Sequence, residues 1–199
     1  MNRSDVVNRA LLCLAESTND GTDFSADTNV FPIEKFVDEA GRKVVMLAPI
    51  RVLGQGTSDT TLEPTINNDG SGYVELPDHF ARLVEFKMGN WMRSVRQPIT
   101  EADPKYAMQY HPATRGGMVK PVVAIVGGNK LEFYSTTTDD SIETFKYIAY
   151  NGIGNTTNLP DQLLEPIAWM TASLFLTSMN ELDMAAVAQQ KATDLIQLL

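Results

Sequence analysis

Cysteine and histidine are almost missing from this chain, and basic residues are in deficit. A single cysteine, Cys13, excludes any disulfide within the chain. It sits among apolar positions at helical spacing, which suits a small buried hydrophobe better than a reactive thiol. The two histidines, His79 and His111, fall in different segments far from Cys13, so no convergent metal-ligand set is visible. Neither lies in a Ser/His/Asp or Cys/His motif, and His79, after Pro77-Asp78, reads as a turn residue. No catalytic, cofactor or metal site is expected on these grounds. With 16 Lys and Arg against 25 Asp and Glu, the formal net charge is −9, which opposes general binding to nucleic acid because phosphate affinity comes largely from cations. Long hydrophobic runs are lacking too. The most apolar segment, 167–179, is shorter than the roughly 20 residues of a spanning helix and includes Thr171, Ser173, Thr177 and Ser178, so it reads as a helix buried in protein. Residues 1–5 are already polar and charged, unlike a signal peptide.

What the chain does have is a clear change of period. At 199 residues, 43% of them hydrophobic, it suits one compact domain, or one with a large insertion. Ser4 is placed to cap a first helix with Val6, Val7, Ala10, Leu11 and Leu14 on one face, and 18–29 reads as polar loop. Pro32 opens a second helix with an apolar stripe of Ile33, Phe36, Val37, Ala40, Val44 and Leu47. Asp38 with Arg42, and Glu39 with Lys43, have the spacing of helical ion pairs. Residues 54–72 form a long hydroxyl- and Asn/Asp-rich connection with few apolar anchors, expected to order on contact with a partner.

From Tyr73 to Tyr150 the alternation is that of strands. Strands are expected at 73–76 and 81–88, with Val84, Phe86 and Met88 on one face, followed by a tight type II′ turn at Gly89-Asn90 and a returning strand over 91–97. Asp103-Pro104 starts a short helix over 104–110, 112–120 is loop, and a second hairpin joins 121–126 to 131–135 through Gly127-Gly128-Asn129-Lys130. A further strand covers 142–150, and the short connections imply antiparallel pairing. After a polar link at 151–158, Pro166 marks the first turn of a third helix, and Asn180 is placed to cap a fourth, with Leu182, Ala185, Ala186, Gln189, Ala192, Leu195, Ile196 and Leu199 on its apolar face. The class is therefore α+β: a small helical bundle from both chain ends, 1–53 and 159–199, with an inserted antiparallel β-sheet section at 73–150.

Gly127-Gly128-Asn129-Lys130 lacks the spacing of a phosphate cradle and reads as a turn. Asp139-Asp140, and Asp161 with Glu165, read as solvated acids rather than a general acid–base pair. Arg93, Arg96, Arg115 and Lys120, interleaved with Trp91 and Tyr110, form the one basic-leaning region; given the overall charge it suits an acidic protein partner more than nucleic acid. Leu182, Ile196, Leu198 and Leu199 complete the partner-interface candidates, packing at home or docking on a neighbour.

The stretch Tyr73-Val74-Glu75-Leu76-Pro77-Asp78-His79-Phe80-Ala81-Arg82-Leu83, followed by Gly89-Asn90-Trp91 and the C-terminal helices, resembles head-to-tail adaptor, or tail tubular, proteins of short-tailed phages. Residues 99–106 and 120–125 look most like the ring proteins of crAss-like phages. The resemblance implies a structural, non-enzymatic virion protein of the neck or upper tail, assembled in the bacterial host cytoplasm. It would form a homo-oligomeric ring, dodecameric in that family, that binds the phage portal and the next ring or tail protein while DNA passes through its channel. The alternative is a soluble ligand-binding or enzymatic module with a pocket between sheet and bundle lined by Trp91, Tyr106 or Tyr110.

Overall fold

The computed structural model describes residues 1–17, 32–154 and 159–199. The loop expected at 18–29 and the second half of the link at 151–158 lie outside the described residues. In chain order come helices α1 (Arg3–Ser17), α2 (Glu34–Leu47) and α3 (Ile50–Leu53), then strands β1 (Thr57–Ser58), β2 (Thr65–Ile66), β3 (Gly72–Glu75) and β4 (Phe80–Met88). Next are β5 (Ile99–Thr100), α4 (Pro104–Met108), β6 (Val123–Val126), β7 (Lys130–Phe133) and β8 (Ile142–Ala149). A single 3₁₀ turn then leads into α5 (Leu164–Ser178) and α6 (Leu182–Gln197). The α+β class expected from the sequence is the class observed. The chain divides into two compact units, Met1–Gly54 with Tyr150–Leu199, and Gln55–Ala149.

In the helical unit α5 is the hub against which α1, α2 and α6 pack. This explains its composition: ten of its residues, from Pro166 to Leu176, are buried, so it has no polar face to show. The α6 seam is made of small residues, Ala185, Ala188 and Ala192, closed by Ile196, and Ser173 Oγ donates to the Ala185 carbonyl at 2.8 Å. On α2 the buried stripe is Val37, Ala40, Gly41, Val44 and Val45; Leu47, expected inside, is exposed at the last position of the helix, where none of the described elements covers it. Cys13 is fully buried, and burial pushes its thiol up to about 12. Glu39 and Lys43 pair as expected at 3.0 Å. Asp38 does not reach for Arg42. Its carboxylate accepts from Arg3 Nη1 at 2.8 Å and from the Ile153 amide at 3.0 Å, while its carbonyl accepts from the Tyr150 hydroxyl at 2.8 Å, tying the start of α1 and the returning chain to α2.

Two expected caps are reassigned. α1 begins at Arg3, one residue ahead of Ser4, so Ser4 lies inside the helix. Asn180 does not cap α6, which starts after Glu181 without a side-chain cap. It instead ends α5 in the left-handed conformation, φ 63°, where the Asn180 amide donates to the Thr177 carbonyl and the Glu181 amide to the Leu176 carbonyl. That is the paired closure of a Schellman motif, with asparagine in the place glycine usually takes. We expect Asn180→Gly to leave stability unchanged or slightly raised, and Asn180→Val to cost about 1–2 kcal/mol, measured by urea unfolding followed by circular dichroism.

The β-rich unit holds two sheets. One has the order β1-β8-β4 and is antiparallel throughout; the other runs β2-β3-β7-β6-β5. In the second sheet β5 pairs with β6 in parallel, Ile99 opposite Ala124, which corrects the wholly antiparallel expectation: the α4 excursion brings the chain back in the same direction. The inner faces meet in one core of Val74, Leu83, Phe86, Met88, Trp91, Val123, Leu131, Phe133, Phe145 and their neighbours. The β6–β7 hairpin forms where expected, with Gly127 at φ 58° and Gly128 at φ 75° supplying the turn.

The first expected hairpin does not form as read. Gly89 is not left-handed, residues 91–97 make only a single bridge, Val95 to Phe86, and Trp91 turns inward. A bulge in β4 also breaks the simple alternation. Leu83 lies opposite Tyr147 and Glu85 opposite Lys146, so Val84 is the extra residue; Leu83 and Phe86 face the core and Val84 is only half-buried. The 54–72 connection is more ordered than its composition suggested, since it lends β1 to one sheet and β2 to the other, with Leu62 and Ile66 packed on the core.

Candidate functional site

The α4 excursion builds a small cleft on the outer face of the five-stranded sheet. Asp103 caps α4 by accepting from the Lys105 amide at 2.8 Å, and Pro104 occupies the first turn, where its missing N–H costs nothing. The turn that continues α4 past Met108 stacks Tyr110 edge to face on Tyr106, ring centres 5.4 Å apart, with the Tyr110 hydroxyl donating to that of Tyr106 at 2.6 Å. Gln109, almost fully buried, locks the excursion: its amide nitrogen donates to the Lys105 carbonyl and its oxygen accepts from the Gly116 amide.

On β7 the strand alternation sends Leu131 and Phe133 to the core and leaves Lys130, Glu132 and Tyr134 on the other face. Glu132 stands opposite Tyr73 of β3. Its Oε2 accepts from both Tyr106 (3.1 Å) and Tyr134 (3.0 Å) hydroxyls. Burial is the main reason both phenols are pushed above their ordinary range, followed by the hydrogen bond with Tyr110 for Tyr106 and with Glu132 for Tyr134, so both stay protonated donors. The remaining cleft, about 190 Å³, is lined by Asp69, Tyr73, Gln109, Tyr110, Glu132 and Tyr134 among others. Asp69 is held ionised mainly by the Ser71 hydroxyl and amide, and Arg115 pairs with it at 3.6 Å.

The basic-leaning region is rearranged by the fold. Trp91 is a core residue, not an interface residue: it is 2% exposed, packs edge-on against Phe86 and Phe133, and donates from Nε1 to the Ser135 carbonyl. Arg115 is committed to Asp69 through its carboxylate and carbonyl. Arg96 leans on Glu85 at 3.7 Å but stays largely exposed, and Arg93, Lys120 and Tyr110 are exposed. Beside them lies a signal missed in the sequence. The Met92 amide donates to the Met118 carbonyl, which sets Met92, Met118 and Val119, all exposed, next to Arg93 and Lys120. Such adaptable, apolar and basic surface suits contact with a protein.

A scan of family models and a search of curated proteins both find no match to this chain.

In the helical unit Ile196 is buried, closing the α6 seam, and so is not an interface residue. Leu182 and Leu198 are exposed, with Val187 exposed between them on α6. Leu199 is half-buried and its carbonyl accepts from Arg51 Nε at 3.2 Å. His79 is a turn residue as expected, its Nε2 within 2.8 Å of the Tyr147 hydroxyl. Asp140 serves the turn that follows β7, taking the Thr136 hydroxyl at 2.6 Å and the Asn90 amide at 3.2 Å. Asp161 pairs with the N-terminal amine and Glu165 with Arg9. Among the described residues no group of three or more His, Cys, Asp or Glu is placed to hold a metal ion, and no helix is long and apolar enough to cross a membrane.

Proposed function

We propose that the chain is a structural virion protein that forms a ring between a phage portal and the tail and continues the DNA channel. The observation that carries this reading is a helical unit closed from both chain ends whose last helix still presents Leu182 and Val187 to solvent, with Leu198 just beyond it. Exposed apolar side chains at both ends of a helix whose own core is already filled offer contact points that a neighbouring copy would cover. The methionine and basic surface at Met92, Met118, Arg93 and Lys120 offers a second contact for a neighbour that, like this chain, carries excess acid. The likeness of 73–83 to adaptor proteins supplies the identity of the assembly, a dodecameric ring seated on the portal and followed by another ring or tail protein.

A ring of identical copies uses one head-to-tail interface whose rotation closes, each contact burying on the order of 1,200–2,000 Å². At −9 per copy, neighbours repel, and salt screens that repulsion beyond roughly 8 Å at physiological ionic strength. The same acidity suits a channel wall along which DNA slides without sticking. We expect light scattering to show ring yield rising with added salt. Leu182→Asp combined with Leu198→Asp is expected to abolish assembly while circular dichroism stays unchanged. Ring yield that falls steadily with salt, or a double variant that assembles normally, would count against the reading.

A further inference from the structure

The geometry points to the tyrosine-framed cleft of the β-rich unit as a binding site for a single guanidinium or alkylammonium head group, with Glu132 as its counter-charge. The inference does not depend on the ring reading.

Glu132 is the decisive residue. It is half-buried, and both hydrogen bonds it receives, from Tyr106 and Tyr134, arrive at Oε2. Its Oε1 accepts no hydrogen bond from the described residues, and none of their cations pairs with it. The nearby cations are engaged elsewhere: Arg115 holds Asp69, and Lys130 lies over the Tyr73 ring, 4.7 Å from its centre. A carboxylate held in place by two neutral phenols and left without a cation attracts one, because opposite charges attract more strongly where the acceptor is partly removed from water. The walls suit the same chemistry. Tyr73, Tyr110 and Tyr134 line the cleft, and the Lys130 ammonium already over the Tyr73 ring shows a cation held by one of these aromatic rings.

Size narrows the ligand further. At about 190 Å³ the cleft falls below the roughly 300 Å³ at which small-molecule sites begin. It takes a head group, not a whole cofactor. That head group comes either from a basic side chain of another protein chain or from a free small amine.

The test uses the full chain and two probes, n-butylguanidine and its neutral isostere N-butylurea, followed by amide chemical shifts. We expect n-butylguanidine to shift residues 67–73, 109–110 and 132–134 saturably, and N-butylurea to leave them in place. Glu132→Gln keeps an oxygen for the two tyrosines, so the fold persists while affinity for n-butylguanidine drops by about tenfold or more. If Glu132→Gln also weakens association of the chain with itself, the head group is a neighbouring copy's side chain; if association is untouched, the source is another partner or a free amine. Equal shifts with both probes, or unchanged n-butylguanidine affinity in Glu132→Gln, would overturn the site.

Discussion

Replacing Phe86 by alanine is expected to destabilise the β-rich unit by about 3–5 kcal/mol, the range for removing a large buried aromatic side chain. Phe86 is fully buried, and its ring stands 5.7 Å from Trp91, 5.9 Å from Phe133 and 6.1 Å from Phe145, centre to centre. These three partners come from the segment after β4 and from both sheets, so one truncation opens a cavity where the two sheets meet. Against a typical domain stability of about 5–15 kcal/mol, the loss leaves this unit marginal. Val84→Ala, two residues away on the bulge and only half-buried, is the control, expected to cost about 1 kcal/mol or less. Hydrogen exchange resolved by peptide reads the two units separately. Protection is expected to fall across 72–149 in Phe86→Ala and to hold in 164–197. A smaller loss for Phe86→Ala than for Val84→Ala would refute the assignment of the core.

Gly41→Ala tests the helical unit with two opposing effects. Helix propensity alone favours alanine by about 1 kcal/mol in the middle of a helix. Packing opposes it, because a Cβ at Gly41 would overlap the Tyr150 hydroxyl and crowd Ile153 Cδ1 at 3.0 Å. Tyr150 has little room to yield: it is buried, and its hydroxyl donates to the Asp38 carbonyl. Overpacking costs about 1–3 kcal/mol, and losing the Tyr150 hydrogen bond adds about 0.5–1.5 kcal/mol. The expected sum is a net loss of about 0.5–3.5 kcal/mol on urea unfolding. Tyr150→Phe in the same background relieves the clash, so the double variant should recover part of the loss. A Gly41→Ala variant more stable than the parent would mean that Tyr150 does not lie against α2.

These two sites also show where sequence reading stops. The four long helices, the short α4, the β6–β7 hairpin and the long β8 strand were legible because period and turn chemistry are local properties of the chain, whereas α3 carries no such signal. Trp91 was misplaced because a tryptophan after Gly89-Asn90 reads the same whether its ring faces solvent or, as here, turns back onto Phe86. The bulge at Val84 shifts the inward face by one residue, which no alternation pattern reveals in advance. Asn180 suits either end of a helix, and only its left-handed φ decides between the end of α5 and the start of α6. The cleft was half legible. Period two places Lys130, Glu132 and Tyr134 on one face, and Tyr106 and Tyr110 share a helical face. Their meeting rests on the parallel pairing of β5 with β6, a contact between distant segments that neither pattern carries.

The reading of the chain as a ring component is tested most directly by electron microscopy of the purified full-length protein over a range of concentration and salt. The account predicts closed rings of one uniform size, dodecameric in projection, that become more frequent as salt increases. Single copies at every concentration, or open filaments that never close, would contradict it.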